Sequence, residues 1–276
     1  MRSFDYIESG KTLLTPHTTS LLAAIHEAKG RQSIQTTIRP DILGTLVAVA
    51  RIQSTDASNR IEGISTSDSR LNDLVSEKVT PRNRNEEEIA GYRDALSVIH
   101  ESHDYIPITP NVILQPHRDL FRHTPLTFAG HFKDSDNVII ERDAHGTSTV
   151  RFAPPSALVT PELIERACSA YTQAIRDEHT DPLLAIAMFI LDFTCIHPFN
   201  DDNGRMSRLL TLLMLYRNGY MVGKYISIEH LIEQSKSTYY EALDASTQGW
   251  DDNANDYAPF TNYLLGIILS ACKEFD

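Results

Sequence analysis

Paired cysteines, a basic excess and long apolar runs are all missing from this chain. Its three cysteines, Cys168, Cys195 and Cys272, stand far apart. That spacing excludes a disulfide framework and a thiolate metal site, and all three read as small buried apolar residues in a reducing compartment. Only 25 Lys and Arg face 37 Asp and Glu, a net charge of -12. A surface that tracks nucleic-acid phosphates needs the opposite balance, since its affinity comes from displacing counterions. The longest apolar stretch, Leu183 to Leu191, is too short to cross a bilayer, and MRSFDYIESG has no apolar signal core. The expectation is a cytoplasmic protein that engages neither nucleic acid nor membranes.

A chain of 276 residues with 41% hydrophobic composition can bury a substantial core as one large domain, or as one domain with a helical annex. Apolar residues recur at three-to-four spacing over most of the length, so the expected class is all-α. Thr109-Pro110, Thr160-Pro161 and Asp181-Pro182 each offer a side-chain acceptor followed by a residue without an amide hydrogen. They predict helix starts, with helices near 110–122, 161–177 and 182–196. Further helices are expected near 12–29, 40–62, 85–102, 205–217, 227–248 and 256–273. The exception lies between Phe128 and Phe152. There Asn137 to Glu141 and Thr149 to Phe152 are β-prone and flank a polar turn at Asp143 to Gly146, which predicts a small hairpin. Pro154-Pro155 then ends the pairing. No internal repeat or low-complexity linker is visible.

The segment richest in chemistry is His197-Pro-Phe-Asn-Asp-Asp-Asn-Gly-Arg-Met-Ser-Arg208, a polar loop between two apolar helical runs. Asn203-Gly204 can turn consecutive amides inward, and a helix starting near Arg205 adds the positive end of its dipole, so the loop can cradle phosphate oxygens. Arg205 and Arg208 emerge from the first helical turn and can clamp two more. Asp201 supplies a hard oxygen for magnesium, which prefers a carboxylate or two plus phosphates and water. His197 stands where it can take a proton from an attacking hydroxyl. Singly, each is ordinary: a histidine before proline is usually a cap, an arginine pair is usually solvated, and Phe199 reads as a core anchor. Four roles falling within twelve residues change the weighing.

This segment resembles the motif of the Fic family, His-Pro-Phe-x-Asp/Glu-Gly-Asn-Gly-Arg-x-x-Arg, with one departure: Asp202 occupies the glycine position. Aspartate tolerates left-handed backbone but adds negative charge beside the phosphates. The resemblance implies a Fic-type helical bundle that moves AMP from ATP to a Ser, Thr or Tyr hydroxyl of a target protein, or of itself. It implies that His197 is the general base, that Asp201 is the ligand of Mg2+ (or Mn2+), and that Asp202, Asn203, Gly204 and Arg205 lie along the nucleotide's phosphates. Arg208 is implied to hold the γ-phosphate. Gly204 separates this chain from the family branch that carries lysine there and phosphorylates.

A second signal is Ser58-Asn-Arg-Ile-Glu62-Gly63, at the end of the helical pattern that begins near Pro40. Serine and glutamate four apart share a helical face, and Gly63 is a plausible helix stop. The segment is similar to the family's inhibitory pattern Ser/Thr-x-x-x-Glu-Gly/Asn, so the resemblance implies that Ser58 supports Glu62 and that Glu62 pairs with Arg208 to autoinhibit the enzyme. The hairpin region, including Gly130 to Lys133 and Val138, Ile139, Ile140 and Glu141, sits where the family carries a flap that docks a target segment. Tyr239 and Tyr240 resemble the segment lining the nucleotide pocket, one bordering the adenine or ribose and the other structural. Trp250 reads as a packing residue. These parts divide the chain into an N-terminal helical region over 1–100 carrying the inhibitory helix, a catalytic core over 101–250 and a C-terminal helix over 251–276.

Two rivals remain: a hydrolase in which Glu62 positions water to strip AMP from a modified protein, and a nucleotide-responsive interaction protein in which Asp202 disables transfer. A homodimer that stabilises or releases the inhibitory helix is open to the chain, and the periodicity identifies no contact surface for it.

Overall fold

The computed structural model describes the backbone of residues 2–38, 40–142 and 148–276, and their side chains outside 35–41 and 140–149. Among these residues the chain forms the helices α1 (Tyr6–Thr12), α2 (Pro16–Ile38), α3 (Pro40–Ile61), α4 (Asp68–Val75), α5 (Arg84–Ser102), α6 (Pro110–Leu120), α7 (Thr160–Arg176), α8 (Pro182–Ile196), α9 (Asn203–Arg217), α10 (Ile228–Gln234), α11 (Lys236–Thr247) and α12 (Ala258–Phe275). One hairpin, β1 (Ile139–Arg142) and β2 (Ser148–Phe152), stands apart from them. The all-α class with a small hairpin is therefore as expected. The strands pair antiparallel, Ile140 opposite Val150 and Glu141 opposite Thr149, with a bulge at Ile139/Ile140. The predicted turn at Asp143 to Gly146 lies outside the described residues.

Helix α8 is the axis of the bundle. It is apolar all round, and every residue from Leu183 to Phe193 is buried, as a helix surrounded by others must be. Helices α7, α9, α12, α1 and α11 pack on it. The amphipathic α7 turns Leu163, Ile164, Ala167, Cys168, Tyr171 and Ala174 inward. Helix α9 runs from α8 against α5, α6 and α3, while α3 lies along α10 and α5. All three cysteines are buried and free.

The start of α8 is capped as read: Asp181 accepts from the Leu183 amide at 2.9 Å. The two other predicted caps are not formed. Thr109 accepts no helical amide, and Thr160 lies inside α7 with its hydroxyl turned back onto the Ser156 carbonyl at 2.9 Å. The single helix expected over 227–248 is two. Ser235 breaks it, its hydroxyl donating to the Leu231 carbonyl and meeting the Tyr263 hydroxyl, each at 2.8 Å. That tertiary contact leaves no trace in the local pattern.

One buried acid ties the ends of the chain to the axis. Asp192 of α8 is fully buried and accepts from Arg2 (3.0 Å), Trp250 Nε1 (2.6 Å) and the hydroxyls of Tyr6 and Tyr257 (each 2.8 Å). Trp250 therefore both packs and donates. Removing the one cation strands a buried carboxylate, the costly way to break such a pair. Arg2→Ala is expected to lower stability by about 3 kcal/mol or more, measured by denaturant unfolding. Trp250→Phe, which deletes one donor of several, should cost about 1–2 kcal/mol.

Candidate functional site

The loop between α8 and α9 is built by backbone constraint and then locked by side chains. His197 ends α8 in the left-handed conformation (φ 50°, ψ 61°), its amide still bonded to the Phe193 carbonyl at 3.0 Å. This sparsely populated geometry for a non-glycine residue turns the ring out of the helix line. Its Nδ1 faces the Thr194 carbonyl at 3.4 Å. A carbonyl only accepts, so Nδ1 carries the proton and Nε2 keeps a lone pair. Burial drives the His197 pKa down to about 4, which keeps the ring neutral at physiological pH. Asn203 closes the loop: its Oδ1 accepts from the Phe199 amide and its Nδ2 donates to the Phe199 carbonyl, each at 2.9 Å. Its side chain is therefore spent on loop shape.

Outside the loop runs a strap formed by the segment before β1. The Lys133 amide donates to the Pro198 carbonyl (2.8 Å), Lys133 Nζ to the Ile196 carbonyl (3.2 Å), and Asn137 Nδ2 to the Phe199 carbonyl (3.2 Å). Gly130 to Lys133, expected in the hairpin, belongs to this strap and forms no strand.

Arg205 is held by protein acceptors. Its guanidinium is 1% exposed and sits in a carboxylate nest, and it is not among the residues that line the cavity described below. It donates to Asp202, to Glu88 Oε2 at 2.7 Å and to Asn59 Oδ1 at 2.9 Å. In this arrangement these donors are committed to protein acceptors, because a buried guanidinium must be matched by local acceptors. Asp202 does take the left-handed backbone its position requires (φ 67°). Burial lifts its carboxyl to about 7 against the pull of Arg205, and its Oδ2 has no partner.

Helix α3 closes over the head of α9. Arg208 Nε donates to the Ser58 hydroxyl (2.8 Å), and its Nη2 to the Ser58 carbonyl (2.9 Å) and to Glu62 Oε1 (2.8 Å). Burial works against both charges. The pairing overrides it, so the Glu62 pKa is lowered and that of Arg208 raised. Gly204 makes the approach feasible, since a Cβ there would stand 2.2 Å from Glu62 Oε1. Lys236 caps the end of α3 through the Ile61 carbonyl at 2.7 Å. Behind it the buried Glu229 of α10 accepts from Ser54 of α3 (2.8 Å) and Tyr92 of α5 (3.0 Å).

A cavity of about 220 Å³ opens beside this clasp, and Glu62, Ile139, His197, Gly204, Arg208, Tyr239 and Tyr240 line it. Asp201, Asp202, Asn203, Arg205, Ser58 and Val138 are not among its lining residues. Tyr239 is the buried ring, packed against Phe260 and Tyr263, and Tyr240 is the more open one. The side chains of Ile140 and Glu141 lie outside the described residues. Leu243, in the same segment as Tyr239 and Tyr240, also lines the cavity, as do Thr194, Cys195, Arg151 and Phe152, which were not singled out from sequence. Thr194 and Cys195 sit in the last turn of α8 ahead of His197, a spacing that could have flagged them. Arg151 pins the hairpin to α11 through the Tyr240 carbonyl (2.6 Å) and Asp244 (3.2 Å), a pairing across distant sequence with no local signal.

Asp201 presents a side chain 55% exposed at the loop's edge, with Oδ1 accepting from the Asp202 amide at 2.9 Å. Among the described residues no group of three or more His, Cys, Asp or Glu gathers to cage a metal. One hard oxygen is the donor set that suits a magnesium ion carried in on a polyphosphate. Among the described residues no helix is long and apolar enough to cross a membrane.

This helical fold brings a histidine, a buried arginine and a helix head to one cavity, and known proteins share the fold. A crystallised Fic family protein from Desulfovibrio desulfuricans superposes with a TM-score of 0.77 at 23% identity, over 95% of this chain and 74% of that one. The sequence model of the Fic/DOC family matches residues 107–215. A Fido domain-containing protein of Dictyostelium discoideum is 36% identical over 145 residues, 49% of this chain and 96% of its own. The chain belongs to the Fic/DOC family. A protein adenylyltransferase of Caenorhabditis elegans is 26% identical over 189 residues, 66% of this chain. The chain spans 32% of that relative's length.

Gly204→Ala is expected to destabilise the fold by about 1–3 kcal/mol, the usual range for an added group in a packed site. The loss should shrink when Glu62→Gly is also present, because the clash partner is gone. A double-mutant unfolding cycle reads the coupling, and strict additivity would place the clash elsewhere.

Proposed function

We propose that this chain is a protein adenylyltransferase that moves AMP from ATP to a serine, threonine or tyrosine hydroxyl of a target protein or of itself, and that Glu62 holds it in a low-activity state. One observation carries the reading. The molecule's own carboxylate, Glu62, rests against Gly204 and Arg208 at the head of α9, in the cavity that His197 lines. A site that seats an anion there favours phosphate oxygens for the same physical reasons: helix-end amides and a guanidinium.

In the working state Glu62 withdraws and Arg208 takes the γ-phosphate. The amides at Asn203 and Gly204 face the remaining phosphate oxygens. Arg205, tied to Asp202, Glu88 and Asn59, keeps the loop in shape from behind. Mg2+ (or Mn2+) would be held by Asp201 and the phosphates, and when bound it draws charge from the leaving pyrophosphate. His197 Nε2 accepts the proton of the target hydroxyl as that oxygen attacks the α-phosphorus. The bond to the bridging oxygen breaks, pyrophosphate departs, and AMP stays on the target. Tyr240 and Leu243 border the nucleoside, and the hairpin holds the target backbone beside Ile139 by strand addition. With Glu62 on Arg208 the γ-phosphate has no anchor, so the α-phosphate is misaligned and turnover falls more than affinity.

Incubation with ATP labelled at the α-phosphate tests this. Wild type should label weakly. Glu62→Gly should label faster by roughly 5- to 150-fold, the span of typical coupling energies, and Glu62→Gly with His197→Ala should be silent. A chain that strips AMP from a modified protein, and loses that ability with Glu62→Gly, would instead be the hydrolase.

The pH dependence follows from His197. Burial lowers its pKa to about 4, so the neutral, base-competent form is present above that value and is lost as pH falls through it. The rate of Glu62→Gly should be level near neutrality with its acid limb near pH 4. Glu62 pulls the histidine upward, so its removal cannot raise the limb. A limb at the ordinary histidine value of 6.5 would remove His197 from the base role.

A further inference from the structure

We infer that His117, on α6 and outside every motif, is a positioning residue that orients the Asp201 carboxylate toward the divalent cation by holding the Asp201–Asp202 peptide plane. The inference rests on the proposed role of Asp201 as cation ligand.

His117 is fully buried. Its ring lies flat on Phe199, centroids 3.8 Å apart and planes 7° off parallel, with Phe121 edge-on at 5.2 Å. The Gly130 amide donates to Nδ1 at 3.0 Å, so that nitrogen holds a lone pair and Nε2 holds the proton. Nε2 in turn faces the Asp201 carbonyl at 3.3 Å. One neutral ring thus joins the strap to the loop, with both nitrogens assigned by their partners.

The planar trans peptide carries this contact to the carboxylate. The carbonyl of Asp201 and the amide hydrogen of Asp202 belong to one rigid unit and point in opposite directions. Holding the carbonyl toward His117 aims the amide hydrogen away from it, where it meets Asp201 Oδ1 at 2.9 Å. Oδ1 is tied, which leaves Oδ2 of this half-exposed side chain for the cation. Among the described residues nothing else fixes so exposed a side chain: Arg84 stands 4.0 Å away and is itself mostly solvated.

The need for such a pin is greater here than in a chain with glycine at the next position. Asp202 has φ 67°, a conformation that L residues with a Cβ resist. Flipping the preceding peptide moves the following residue between left-handed and ordinary φ, as between the two common turn types. Asp202 therefore leans toward the flipped plane, in which the Asp201 carbonyl would leave His117 and the amide would release Oδ1. The imidazole opposes that flip.

The test uses the Glu62→Gly chain as parent and Mn2+ as the probe, with binding read by electron paramagnetic resonance in the presence of a non-hydrolysable ATP analogue. His117→Phe keeps the stack on Phe199 and deletes both hydrogen bonds. It should weaken Mn2+ binding by roughly tenfold or more, the usual scale for losing a group that orients a metal ligand, while affinity for the metal-free analogue is unchanged. In turnover, the Mg2+ concentration giving half-maximal rate should rise more than the rate at saturating Mg2+ falls. His117→Gln, whose amide can donate to the Asp201 carbonyl, should restore most of the Mn2+ affinity. His117→Asn, too short to span both partners, gives the same loss as phenylalanine should that variant not fold. Unchanged Mn2+ affinity in His117→Phe and His117→Asn, with the parent binding normally, overturns the inference alone. Equal losses of Mn2+ and metal-free nucleotide binding also overturn it, since they mark a general structural role. A parent that binds no Mn2+ overturns the cation role of Asp201 and the inference with it.

Discussion

Two guanidinium groups lie in the interior at the head of α9, Arg205 and Arg208, each almost wholly buried. Arginine stays charged at any accessible pH, and a buried charge without partners is among the most costly features a fold can carry. Every element around this point can be understood as an answer to that demand. Helix α3 brings Ser58, Asn59 and Glu62, α5 brings Glu88, and the loop brings Asp202. Helix α3 is thus part of the interior it covers. In the proposed function, the charge that closes the site when empty is the charge that grips the nucleotide when Glu62 leaves, so inhibition and binding compete for one guanidinium.

The loop shows the opposite economy. Several of its backbone groups are met by side chains: Asn203 on Phe199, Lys133 on Ile196, Asn137 on Phe199 and His117 on Asp201. The groups that the proposed function calls on are few: one imidazole nitrogen, one carboxylate oxygen of Asp201 and the helix-end amides. Holding those in place before any ligand arrives is what lets few groups act strongly. The orphan Oδ2 of Asp202 is the exception, the consequence of placing a carboxylate where a glycine would leave space.

Much of this was legible beforehand, and the reasons are local. The limits of α8 followed from the Asp181-Pro182 start and an unbroken apolar run. The hairpin followed from two β-prone stretches, and the facing of Ser58 and Glu62 from their four-residue spacing. The failures share a different cause. The split between α10 and α11 needs Tyr263 to reach Ser235. The partners of Arg205, Asn59 and Glu88, likewise come from parts of the chain distant in sequence. Tyr239 and Tyr240 could be told apart only once α12 had supplied Phe260 and Tyr263.

By itself the sequence determined the helical class, the polar loop between α8 and α9 and the family motif written in it, because periodicity, turn chemistry and side-chain type act over a few neighbouring positions. The tertiary structure alone decided which of the two arginines three residues apart faces the cavity, which histidine nitrogen holds a proton, and that a second histidine, His117, ties the strap to the loop. Those outcomes depend on where buried donors find acceptors across the whole chain, and only the closed interior makes that selection.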